Sequence, residues 1–150
     1  MTQIDPAMAQ RVWQRVRGEA AQPPQGTSLQ ILMEEAWEDA QIYRMLSRRY
    51  RGKRAEMFAR LYSQTMEQLG LLKGICTLTR DCQPVFSPIK RPPESEEILL
   101  RRGYGRAQQR LYWYTAHEND PQYGHLLPPL MRRTQEHSRL LLQLLAARRK

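Results

Sequence analysis

The chain has 150 residues, of which 41% are hydrophobic and 26% charged, and a net charge of +9. That length suits one domain with a single core, and the composition excludes wholesale disorder. No apolar run approaches ~18 residues, which excludes a helical membrane span, and the first residues lack the apolar core of a signal peptide; the expectation is a cytoplasmic protein with no membrane partner.

Asp5 can cap a first, short helix over 5–17, with Pro6 in its first turn and a narrow stripe of Val12, Trp13 and Val16. Gly18 ends it, and a loop rich in Pro and Gln follows, so residues 1–27 read as an N-terminal helix and linker and 28–150 as the main domain. Thr27 or Ser28 can cap the next helix, 28–52, whose stripe is Leu29, Leu32, Met33, Ala36, Ala40, Tyr43, Leu46 and Tyr50. Gly52 closes it. The short link to a helix over 54–78 forces the two to turn back on each other. Residues 79–93 hold four prolines and no helical period, which predicts a crossover loop. A further helix over 94–118 has Glu94, Glu96 and Glu97 at its start and the stripe Leu100, Tyr104, Ala107, Leu111 and Tyr114. In it Tyr114 should pack inward while Trp113 covers the flank or an oligomer contact. The last helix starts or bends at Pro128-Pro129.

Two cysteines, Cys76 and Cys82, are too few for a disulfide framework and match no common metal spacing. They read as a buried thiol and a loop thiol. The acids Glu34, Glu35, Glu38 and Asp39, with Arg44, Arg48 and Arg49, read as charged helix faces paired at helical spacing.

The chain also repeats itself. A shift of 69 lays 58–76 on 127–145, placing Thr65 on Thr134, Glu67 on Glu136 and Gln68 on His137. A shift of 71 lays Ala36 on Ala107 and Tyr43 on Tyr114. Four long helices, paired as short-link hairpins and joined by one long crossover, predict an all-α four-helix bundle of ferritin-like topology. Each half puts a polar pair at i, i+3 inside an apolar stripe, where a di-metal carboxylate bundle carries Glu-x-x-His.

Three segments, EEAWEDAQIYRMLSRRY (34–50), FARLYSQTMEQLGLLKGI (58–75) and YTAHENDPQYGHLLPPLMRRTQEHSRLLLQLL (114–145), resemble the ferritin-like superfamily, and within it the small rubrerythrin-like bacterial members. The similarity covers roughly 28–147. It implies a bundle that holds a pair of iron or manganese ions and uses them for oxygen, peroxide or iron chemistry. Carried over position by position, the implied ligands fall on Ala36, Thr65, Gln68, Ala107, Thr134 and His137, and only the histidine is a ligand type. Ile98–His117 contains no carboxylate in any register. Two divalent cations in a dry core need several anionic oxygens, which one imidazole and two hydroxyls do not supply. The expectation is therefore no metal, no cofactor and no catalytic residue, with Thr65, Gln68, Thr134 and His137 forming a mutual hydrogen-bond cluster at mid-bundle.

The expected role is that of a non-catalytic interaction or structural module, working with an unidentified protein or a second copy of itself. One competitor is an iron- or peroxide-related redox protein with an unorthodox site around His137. The other is a nucleic-acid-binding bundle using a basic patch of Arg44, Arg48, Arg49, Arg51, Lys53 and Arg54. Nucleic acid is the less favoured partner, because stretches 28–52 and 94–118 are electrically balanced and the surplus charge is spread out.

Overall fold

The computed structural model describes residues 28–80, 82–89, 92 and 94–147. The helix expected over 5–17 lies outside them. Four helices follow in order: α1 (Leu29–Arg49), α2 (Lys53–Thr79), α3 (Glu96–His117) and α4 (Leu127–Ala147), the last preceded by a 3₁₀ turn over Gly124–Leu126.

Local chemistry sets the helix ends. The Ser28 hydroxyl accepts from the Ile31 N–H at 3.1 Å, and Ser95 does the same for Ile98 at 3.3 Å. Both satisfy an amide that the helix itself leaves unpaired. Gly52, at φ +71°, supplies the left-handed backbone that lets α1 turn directly into α2. Pro128 and Pro129 fall in the first turn of α4, where their missing N–H groups cost nothing.

At the far end of α2, Arg80 adopts a left-handed conformation and its N–H closes on the Cys76 carbonyl at 2.8 Å. This cap folds the chain back, so Cys82 comes within 5.9 Å of Cys76 between Cα atoms and the two form a disulfide. The expectation of two free thiols is thereby corrected. Spacing along the chain said little here, because the cap geometry decides the distance.

α1 packs chiefly on α2 and α3 on α4, giving two antiparallel hairpins. The crossover between them climbs α1 turn by turn. The Gln83 N–H donates to Gln30 Oε1 (3.4 Å), the Val85 N–H to Glu34 Oε2 (2.8 Å), and Trp37 Nε1–H to the Ser87 carbonyl (3.0 Å). Phe86 packs on Trp37 at 5.5 Å between ring centroids. The loop thus returns the chain to the end where α2 began, and α3 starts there, with Glu96 bonded to Tyr50 and Arg54. α2 and α3 therefore run parallel, each antiparallel to its hairpin partner. The fold is an all-α four-helix bundle of two hairpins joined by a long crossover. None of the described helices is long and apolar enough to cross a membrane.

The apolar core is split in two. One cluster, around Leu32, Leu72, Trp113 and Leu130, fills the end with the disulfide; the other, around Leu46, Phe58, Leu100 and Leu141, fills the hairpin-tip end. Trp113 is buried, stacked on His117 (4.0 Å) and Tyr123 (6.0 Å), rather than covering the flank. The turn after α3 brings Tyr123 over it. Between the two clusters lies a layer of buried polar side chains.

Candidate functional site

Helical periodicity brings one or two small or polar residues from each of the four helices to the middle of the bundle. Ala36 on α1, Thr65 and Gln68 on α2, Ala107 on α3, and Thr134 and His137 on α4 are all fully buried. The hydrogen bonds among them are not the mutual cluster expected. Only Gln68 and Thr134 are in direct contact, Thr134 Oγ1 lying 2.9 Å from Gln68 Oε1 and sharing its single proton with the Leu130 carbonyl at 2.7 Å. The Thr65 hydroxyl turns to its own helix and donates to the Leu61 carbonyl at 2.7 Å, the usual escape of a helical threonine. His137 Nδ1 pairs with Gln64 Oε1 at 2.9 Å. Since that amide oxygen only accepts, Nδ1 carries the proton and Nε2 keeps a bare lone pair.

The centre of this layer is a residue that the apolar stripes did not single out. Arg110 of α3 is 1% exposed. Its Nε–H donates to Gln68 Oε1 at 2.9 Å, an oxygen that also accepts from the Tyr114 hydroxyl at 3.2 Å. Asp39 of α1 is 2% exposed, and its Oδ2 lies 3.9 Å from Arg110 Nη1. The other carboxylate oxygen of Asp39 accepts from Arg106 Nη1 at 2.7 Å. Arg106 in turn reaches Glu35 (3.1 Å) and Glu38 (3.0 Å), and Arg102 reaches Glu38 and Glu94. Glu35, Glu38 and Asp39 are therefore not a solvated face paired along their own helix. They turn toward three arginines of α3, spaced four apart, and the innermost pair is sealed from water.

Burial dominates the titration of this layer. It pushes the Asp39 carboxyl up, against the pull of Arg106 and Arg110. It drives the Tyr43 phenol well above its usual range and the Tyr114 phenol to about 12. Burial, with the nearby Arg110 charge, takes His137 down to about 3, so the imidazole is neutral at physiological pH. Tyr43 and His137 meet edge to face at 5.8 Å.

Six polar atoms of this layer have no hydrogen-bond partner among the described residues: Asp39 Oδ2, Tyr43 Oη, Gln68 Nε2, Arg110 Nη1 and Nη2, and His137 Nε2. Among the described residues, no group of three or more His, Cys, Asp and Glu side chains is placed to hold a metal ion. A surface cleft of about 570 Å³ between α1 and the crossover is a weaker candidate, because its Arg102 is paired and its Trp37 N–H is bonded.

One sequence signal for Asp39 and Arg110 was available. The shift of 71 that lays Ala36 on Ala107 also lays Asp39 on Arg110 and Glu35 on Arg106. Equivalent positions of the two halves thus carry opposite charges on the buried stripe, which makes them a pair rather than two surface residues.

The basic patch divides. Arg54 is held by Glu96 and stacks over Tyr50 and Phe58, and Arg44 lies over Tyr62. Arg48, Arg49, Arg51 and Lys53 are exposed at the α1–α2 tip. No protein-family model, no curated protein and no solved structure matches the chain.

Proposed function

We propose that this chain is a metal-free relative of the rubrerythrin-like ferritin-like bundles and acts as a non-catalytic interaction or structural module, with a protein partner or a second copy of itself. The observation that carries the reading is the Arg110 guanidinium, sealed among Gln68, Thr134 and Tyr114. Gln68 and Thr134 stand at positions to which the resemblance assigns metal ligands. A fixed cation there opposes a second one. Two unit charges at 4 Å repel by about 4 kcal/mol at an effective dielectric near 20, and a divalent ion doubles that. The one surviving ligand type, His137, has its Nδ1 committed to Gln64 and no carboxylate beside it.

Analysis of protein made in iron- and manganese-supplemented medium tests this. The expected outcome is well under one metal per chain. Stoichiometric iron or manganese, lost on His137→Ala, would replace the module with a redox or iron-handling enzyme. A second reading, nucleic-acid binding, has one observation in its favour: the exposed cluster Arg48, Arg49, Arg51 and Lys53 at one tip of the bundle.

A further inference from the structure

We propose that the polar layer at mid-bundle is a binding site for one small monovalent anion, of halide to formate size, held on the Arg110 guanidinium. The inference rests on the metal-free reading, since one layer cannot hold both a metal cation and an anion on the same side chains.

The argument starts from charge. A buried ion costs several kcal/mol unless it is paired and hydrogen-bonded. Arg110 is 1% exposed, and among the described residues its sole hydrogen bond runs from Nε to the neutral oxygen of Gln68. The nearest carboxylate oxygen, Asp39 Oδ2, stands 3.9 Å from Nη1, beyond hydrogen-bond reach. Asp39 is already answered by Arg106, which donates to its Oδ1 at 2.7 Å and is itself half out of the core, where Glu35 and Glu38 share it. Both Nη atoms of Arg110 are left without a partner.

Hydrogen-bond arithmetic then separates an anion from water. The unspent donors are Arg110 Nη1 and Nη2, Gln68 Nε2 and the Tyr43 hydroxyl, carrying about seven hydrogens. The unspent acceptors are Asp39 Oδ2, His137 Nε2 and the Tyr43 oxygen, with about four lone pairs. Water brings donors and acceptors in equal number, so any quantity of it leaves the surplus of donors in place. An anion brings acceptors alone. It also places a hydrogen-bonded negative charge on Arg110, which the Asp39 carboxylate at 3.9 Å does not, and a planar oxyanion can take Nη1 and Nη2 together. Every residue of the layer is buried, so the occupant is fully enclosed and must be small. Gly103 keeps one donor inside. A Cβ at that position would overlap the Tyr43 hydroxyl, which lies against the α3 backbone and bonds to nothing there.

Crystals grown from sodium bromide give the direct test. An anomalous peak against the Nη atoms of Arg110 is expected; ordered water alone at that place overturns the proposal. In solution, thermal midpoints are compared at constant ionic strength as gluconate, too large to be enclosed, is replaced by chloride, bromide or nitrate. A saturating rise is expected. Arg110→Met should abolish it, and Tyr43→Phe, which keeps the test open should the first variant fail to fold, should weaken the apparent affinity roughly tenfold through loss of one bond to a charged partner. Equal midpoints in gluconate and bromide overturn the proposal, as does a rise that Tyr43→Phe leaves unchanged. A bound transition metal in the layer would sink both this site and the metal-free reading, whereas bromide-free density sinks this site alone.

Discussion

His137 shows how a single buried group writes itself into stability. Its Nδ1–H is held by Gln64, and burial next to Arg110 takes its pKa from 6.5 to about 3. The folded value lies below the unfolded one, so as pH falls the unfolded chain takes up the proton first. The stability that neutral His137 contributes is complete above about pH 6.5 and is lost steadily as pH falls toward 3. At pH 5 the loss amounts to about 2 kcal/mol. Asp39 works in the opposite sense: its raised pKa means that the cost of burying the carboxylate is relieved as pH falls through the folded value. Urea unfolding at pH 7, 6 and 5 in gluconate buffer should show the native chain losing stability faster than His137→Gln across that interval. Parallel slopes would mean that His137 titrates normally and is not sealed as described. The partners of this histidine were not readable from the stripe. Gln64 lies one position off it, and a hydropathy pattern ranks Asp39 and Arg110 with the surface. Their burial is decided by each other, across two helices distant in sequence.

Among the helices, α1 and α3 are fitted by a single absent side chain. Gly103 sits inside α3, where alanine is ordinarily better by about 1 kcal/mol. Here a methyl group would overlap the Tyr43 hydroxyl of α1. Gly103→Ala should therefore destabilise the bundle by roughly 1–3 kcal/mol, as overpacking does. Tyr43→Phe should recover much of the loss, because the oxygen that collides is gone. A double-mutant cycle by chemical denaturation should give a favourable coupling of about 1 kcal/mol or more. A stabilising Gly103→Ala would show that the two helices are not this close. Element boundaries were legible from caps and glycines at Ser28 and Gly52, which act locally; the Ser95 cap of α3 was not singled out. The buried face of α3 was less so. The stripe expected through Tyr104 and Leu111 is rotated toward Gly103, Arg110 and Trp113, leaving Tyr104 and Leu111 half-buried. Placing an arginine on the inner face contradicts every apolar pattern until its partner on α1 is known.

For the molecule as a whole, the duplicated pattern and the proline-rich crossover carried the topology, because a long link between two tight hairpins leaves few arrangements. The distribution of charge was harder to read. By sequence the arginines spread over every helix; folding pairs some of them with acids and leaves others, among them Arg60, Arg132 and Arg139, exposed along α2 and α4. Arg102 and Arg106 are neutralised by Glu38 and Asp39 of α1, and Arg110 faces Asp39 from 3.9 Å without a hydrogen bond to it. Arg54 is spent on Glu96, and Arg133 on Glu67. Arg48, Arg49, Arg51 and Lys53 remain exposed at the α1–α2 tip, beside the acids that open α3. A footprint of about four phosphates would give a salt slope near −3.6, well short of the six to ten contacts of a committed DNA binder. Binding to duplex DNA at ~0.15 M salt should therefore stay in the ~10⁻⁴–10⁻⁶ M range of non-specific contacts and be indifferent to sequence. Titrations of duplex DNA and structured RNA at two salt concentrations measure both quantities. Sub-micromolar affinity at the higher salt, abolished by Arg48→Glu, Arg49→Glu and Arg51→Glu together, would make the tip an interface and the nucleic-acid reading the better one.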